Sequence, residues 1–133
     1  TYPEQDLSEA WREIEDTIRA AAQKDSFLAN SPPEIVYHGF FAEGYELANA
    51  DAAKAVLAAA HEAVNGKPLQ KVPTTATTDA RFFGLYADTP GLVYGPRSEN
   101  IHGFNERVEL ESVRRNTQTM ALFIAEWCGL QAV

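Results

Sequence analysis

The chain has 133 residues, 45% hydrophobic and 23% charged, a soluble globular make-up long enough for one modest core or two small packed pieces, with one domain expected from its length. Eleven Lys and Arg against 19 Asp and Glu leave a formal net charge of -8, which repels phosphate backbones and anionic lipid and argues against nucleic acid as a partner. No apolar run reaches the roughly 20 residues of a bilayer span and no basic start leads into a hydrophobic segment, so no membrane partner and a cytoplasmic setting are expected. The single cysteine, Cys128, cannot close an internal disulfide and lies in an apolar helical pattern, which reads as a buried thiol. Because the chain opens on Thr1 and the polar Tyr2-Pro3-Glu4-Gln5, a piece of something longer is expected.

In chain order, Asp6 with Glu9 three positions on is a capping-box-like start. Leu7, Trp11, Ile14, Ile18 and Ala22 then recur at helical spacing, predicting an amphipathic helix over 7–23 with Trp11 as a core anchor. Asn30-Ser31-Pro32-Pro33 breaks that pattern, and Ile35 to Phe41, rich in β-branched and aromatic residues, reads as a strand carrying His38. After a non-periodic stretch, Asp51 is read as the cap of a second helix through Ala53, Val56, Leu57, Ala60 and Val64, stopped by Asn65-Gly66. Its alanine-rich face suits close packing on a sheet, and His61 reads as a solvated or capping-region residue and not a ligand. Pro68 to Thr75 and Gly91 to Gly95 are strand candidates. Between them, Thr77-Thr78-Asp79 opens a short helical stretch through Arg81 and Phe83. A terminal helix is predicted over 110–127, with Val113, Thr117, Met120, Ala121, Ile124 and Cys128 inside and Arg114, Arg115, Asn116 and Gln118 mainly outside. The alternation defines an α/β fold class without internal repeats.

In α/β sheets, ligand sites gather in loops that leave the carboxyl ends of strands, here 75–81 and 95–106. The second loop brings Glu99, Asn100, His102 and Glu106 within short reach, and an imidazole flanked by carboxylates has the make-up of a zinc ligand with supporting acids. One histidine without a second nearby, a His-x-Glu-x-x-His motif or paired cysteines falls short of the three ligands of a catalytic zinc, so the surface-histidine reading stays open.

Three blocks in order carry a more specific signal: Thr75-Ala76-Thr77-Thr78-Asp79-Ala80-Arg81-Phe82-Phe83, Gly91-Leu92-Val93-Tyr94-Gly95-Pro96, and Glu99-Asn100-Ile101-His102-Gly103-Phe104-Asn105-Glu106-Arg107-Val108 before a helix. With Tyr45-Glu46-Leu47 and His61-Glu62-Ala63-Val64, they resemble the C-terminal portion of the acetylornithine deacetylase and succinyl-diaminopimelate desuccinylase family of zinc metallopeptidases. The resemblance covers essentially the whole chain. It implies that 1–47 are the last helix and strand of a lid, or dimerisation, domain, and that 48–133 are the second part of a catalytic domain whose central sheet is flanked by helices.

It further implies that His102 is a metal ligand, that Thr77 and Arg81 bind substrate and that Glu106 belongs to a supporting shell. An arginine in a pocket can hold a carboxylate bidentately, while an ion pair of Arg81 with Asp79 or another acid is the structural alternative. Ala76 stands where the family often has glycine, and Arg97 where Gly-Pro-Gly is common, so pocket shape there departs from the pattern. The implied cofactor is zinc, two ions in the complete site, with cobalt as an alternative. The His-x-Asp pair, the bridging Asp and the paired glutamates that include the general base precede the lid in the family and are absent here. The expectation is therefore a C-terminal fragment of an amidohydrolase acting on an N-acyl amino acid or short peptide. Alone it would be inactive, without tight zinc, and prone to form homo-oligomers in the absence of the N-terminal half of the catalytic domain. The alternative is a stand-alone, non-catalytic binding or dimerisation module.

Overall fold

The computed structural model describes residues 6–39 and 43–131. They divide into two units, one running up to Glu46 and including Thr75–Thr77, the other comprising Leu47–Thr74 and the chain from Thr78 onward.

In the first unit, helix α1 (Leu7–Ala22) starts where the Asp6 carboxylate accepts hydrogen bonds from the Ser8 and Glu9 amides at 2.7 and 3.1 Å. Such a cap satisfies two of the four amides that a helix start leaves without partners. These bonds, that of Glu9 first, hold the Asp6 carboxyl below its ordinary range. Trp11 is half-buried and stacks on Tyr37 with ring centroids 4.2 Å apart and planes 8° from parallel, while the Tyr37 hydroxyl donates to the Trp11 carbonyl at 3.2 Å. Trp11 thus packs against the Tyr37 ring and is half-buried, not enclosed. Residues 33–38 are extended but pair with no neighbour, so they form no strand, and Phe40 and Phe41 lie outside the described residues. A strand is defined by its ladder, and β-forming residues without a partner give only extended chain.

In the second unit, α2 (Asp51–Asn65) is capped at Ala50, not at Asp51, whose carboxylate pairs instead with Lys54 at 3.2 Å. Gly66 ends the helix in the left-handed region (φ 67), and its amide returns to the Glu62 carbonyl at 2.8 Å. The alanine-rich face, with Leu57 and Ala60 buried, packs on another helix, α4 (Leu110–Cys128), and not on a sheet. Between them in sequence come the short α3 (Ala80–Tyr86) and two antiparallel two-residue strands, β1 (Ser98–Glu99) and β2 (Arg107–Val108), paired Ser98 with Val108 and Glu99 with Arg107. Pro68 to Thr75 and Gly91 to Gly95 are not in a ladder, so the described residues hold no larger central sheet.

The inward face of α4 also departs from expectation. Ser112, Asn116, Thr119, Met120, Phe123 and Ala125 are the covered positions, Thr119 completely, whereas Val113, Ile124 and Trp127 are exposed and so is the Cys128 thiol. Residues at i, i+4, i+7 and i+11 form a helical stripe whatever their polarity. Here the covered stripe is the polar one. The buried hydrophobic set is small: Ala10, Ala22, Ala50, Leu57 and Ala60. No described helix is long and apolar enough to cross a membrane.

Candidate functional site: the His102 hairpin

The β1–β2 hairpin carries the histidine, and its backbone turns through two left-handed non-glycine residues, Asn100 (φ 54) and His102 (φ 65). Asparagine tolerates that region, but for histidine it costs of order 1 kcal/mol or more, a strain that persists only where the surroundings impose it. They do so with short backbone bonds, Gly103 N–H to Asn100 O at 2.7 Å and Glu106 N–H to Gly103 O at 3.2 Å. Gly103 is required by space, since a Cβ there would meet the Asn100 carbonyl oxygen at 2.9 Å.

The hairpin's stem is tied to α4. The Glu109 amide donates to the Arg97 carbonyl at 3.0 Å, the Arg97 amide donates to Ser112 Oγ at 2.9 Å, and that hydroxyl donates to the Glu109 carbonyl at 2.7 Å. Across the hairpin Arg107 pairs with Glu99. The Glu99 carboxylate is therefore committed to a guanidinium and does not orient the imidazole. His102 and Glu106 are both exposed, and no cluster of three or more His, Cys, Asp or Glu that could hold a metal ion occurs among the described residues. Tested against the three-ligand requirement, the residues present do not make a metal site, and His102 can offer only one nitrogen to a site that other groups complete.

Arg81, on α3, is 4% exposed, with its guanidinium carbon 5.1 Å from the Phe82 ring centroid, a cation–π distance. Thr77 is exposed and falls in the first unit. Just before α3, Thr78 Oγ1 accepts from the Ala80 amide at 3.4 Å, while Asp79 makes no capping bond.

Sequence reading missed the surroundings of His61. Half-buried on α2, it places Nδ1 2.7 Å from the Tyr94 hydroxyl, which in turn lies 3.4 Å from the hydroxyl of the fully buried Thr119 on α4. Asn65, one turn after His61, reaches the same nitrogen at 3.3 Å. The signal available was the His61–Asn65 spacing, which puts two polar side chains on one face of an otherwise apolar helix.

The chain belongs to Peptidase family M20/M25/M40, which matches residues 13–126. Two relatives are N-formyl-4-amino-5-aminomethyl-2-methylpyrimidine deformylases. That of Halalkalibacterium halodurans is 25% identical over 139 residues, covering 98% of this chain and 32% of the relative. That of Bacillus subtilis is 25% identical over 138 residues, covering 96% and 32%. The chain thus spans about a third of the length of the curated relatives it matches.

Proposed function

We propose that this chain contributes one side of the active site of a metal-dependent amidohydrolase that cleaves a small N-acyl amine, with N-formyl compounds, N-acyl amino acids and short peptides as the substrate class. The observation that carries this reading is the family match over 13–126, together with two amide-cleaving relatives aligned along nearly all of the chain. In the proposal His102 gives its imidazole lone pair to a zinc or cobalt site whose other ligands and general base come from outside these residues. Bound metal supplies Lewis acidity for the amide carbonyl and a lowered pKa for water. Thr77 and Arg81 hold the substrate, the arginine by pairing with an anionic group, and Glu106 hydrogen-bonds within the His102 loop. Residues 1–47 would be the tail of a lid domain and 48–133 the second part of the catalytic domain.

Apolar segments at 33–38 and 91–97 that make no ladder among the described residues, and the exposed apolar side chains of α4, support the idea that further chain packs here. The test is to express the chain joined to the remaining two thirds of a relative-length protein and to assay hydrolysis of N-formyl and N-acetyl amines. His102→Ala should lower the rate on the order of 100-fold or more and reduce bound zinc. Unchanged activity and zinc content would remove His102 from the site. A second reading, a non-catalytic docking or dimerisation module, is favoured by the exposed Val113, Ile124 and Trp127 on one face of α4. Hydrolysis by the joined protein would reject it.

A further inference from the structure

The segment from Tyr94 to Arg97 is held to α4 at two points, the Tyr94 hydroxyl at Thr119 Oγ1 (3.4 Å) and the Arg97 amide at Ser112 Oγ (2.9 Å). As the segment advances the helix recedes, so the two run antiparallel. Seven helical residues at about 1.5 Å each and three extended residues at about 3.4 Å each both come to about 10 Å, so the two anchors close together without stretching either element. From the other side, α2 reaches the same tyrosine through His61 Nδ1 at 2.7 Å, with the two rings edge to face at 88° and centroids 5.7 Å apart.

Asn65 adds a third polar group to this cluster. Its amide nitrogen donates to the His61 carbonyl at 3.1 Å, which fixes the NH2 end of the group there, and the same nitrogen lies 3.3 Å from His61 Nδ1. The Tyr94 hydroxyl sits between His61 Nδ1 and Thr119 Oγ1 and donates to the threonine at 3.4 Å. Thr119, with no exposed surface, has no water as an alternative partner.

We infer that His61 and Tyr94 are positioning residues that fix the hairpin bearing His102. They clamp the chain four residues before the hairpin to both packed helices, and Ser112 holds it again one residue before β1. The inference rests on the reading in which His102 does the chemistry, because precision there matters only if a ligand must be placed. A side chain that coordinates or binds has to be held within about 0.5 Å, and its support comes from the next layer of hydrogen bonds.

The test needs no metal. In the full, isotope-labelled chain, amide hydrogen exchange is followed at Arg97, Gly103, Glu106 and Glu109, whose amides are bonded in the stem and turn. Tyr94→Phe, which removes one hydroxyl, and His61→Leu should each speed these amides about five- to tenfold, the loss of one neutral hydrogen bond, with helix content by circular dichroism unchanged. His61→Asn, whose amide can donate or accept near the place of Nδ1, should bring exchange back to within about twofold of the parent chain. Unchanged exchange in Tyr94→Phe overturns the proposal, as does an equal acceleration along α2 and α4, which would mark a purely structural role. Should His61→Leu fail to fold, Tyr94→Phe and His61→Asn decide the matter. Broadening of the His102 ring resonances by added cobalt in the joined protein tests the ligand role separately, so the two ideas can fail independently.

Discussion

At the scale of single residues, charge is arranged around helix starts and turns. Glu111 in the first turn of α4 accepts from Arg114 Nε and Nη2 at 2.9 and 2.7 Å and from Arg115 Nε at 3.0 Å. These bonds, that of Arg114 first, hold its carboxyl at about 2 against the ordinary 4.5. A carboxylate depressed on folding stabilises above its unfolded value and loses that contribution as pH falls. The support for the start of α4 should accordingly be complete above pH 4.5 and fade as pH falls toward 2. Circular dichroism across that window, compared with Glu111→Gln, checks it: the variant should lose part of the acid sensitivity, and added salt should weaken the effect in the parent. Asn116, three residues before Thr119, is the opposite case, with its Oδ1 buried and no hydrogen-bond partner among the described residues.

Among the elements, the contact between α2 and α4 does most to order the second unit. Leu57, 4% exposed, is the large side chain in a buried set otherwise made of alanines. Leu57→Ala should therefore cost about 2–3 kcal/mol, read as a lower midpoint in urea at constant m-value, while a substitution at exposed Leu122 should be close to neutral. The helices were legible because their signals are local: Asp6 as a cap, Gly66 as a stop, and apolar residues at period 3.6 between them. Their inward faces were less so. In α4 the expected stripe of Val113, Ile124 and Cys128 is exposed while Ser112, Asn116 and Thr119 face inward, since here hydrogen bonds to a neighbouring segment, not hydrophobicity, choose the covered side. Strand candidates at Ile35, Pro68 and Gly91 had the right residue types. What makes a strand is a partner at ladder distance, and no local pattern encodes that.

For the molecule as a whole, many large apolar side chains of the described residues are exposed, Phe83, Trp127 and Leu130 among them. Val113, Ile124 and Trp127 follow one another around α4 within a narrow angle, giving that helix an apolar face in contact with solvent. The isolated chain should associate above micromolar concentrations and bind a hydrophobic dye. A monodisperse monomer by light scattering over a tenfold concentration range would contradict that. The candidate site was legible to a different degree. His102 stands out by its acidic neighbours and by family resemblance, and kinship extends over 13–126. The pairing of Glu99 with Arg107 and the role of His61 were not legible, because each is a choice between equally available partners that only the folded backbone makes.

The match between three extended residues and two turns of helix makes the approach to the hairpin a measured length. Adding or deleting one residue between Tyr94 and Arg97 changes that length by about 3.4 Å, more than any hydrogen bond can absorb. Proline at 96 further limits how the chain could buckle to compensate. Side chains at 95–97 can therefore vary with pocket shape, but their number cannot: this connection tolerates substitution and not insertion, unlike most surface loops.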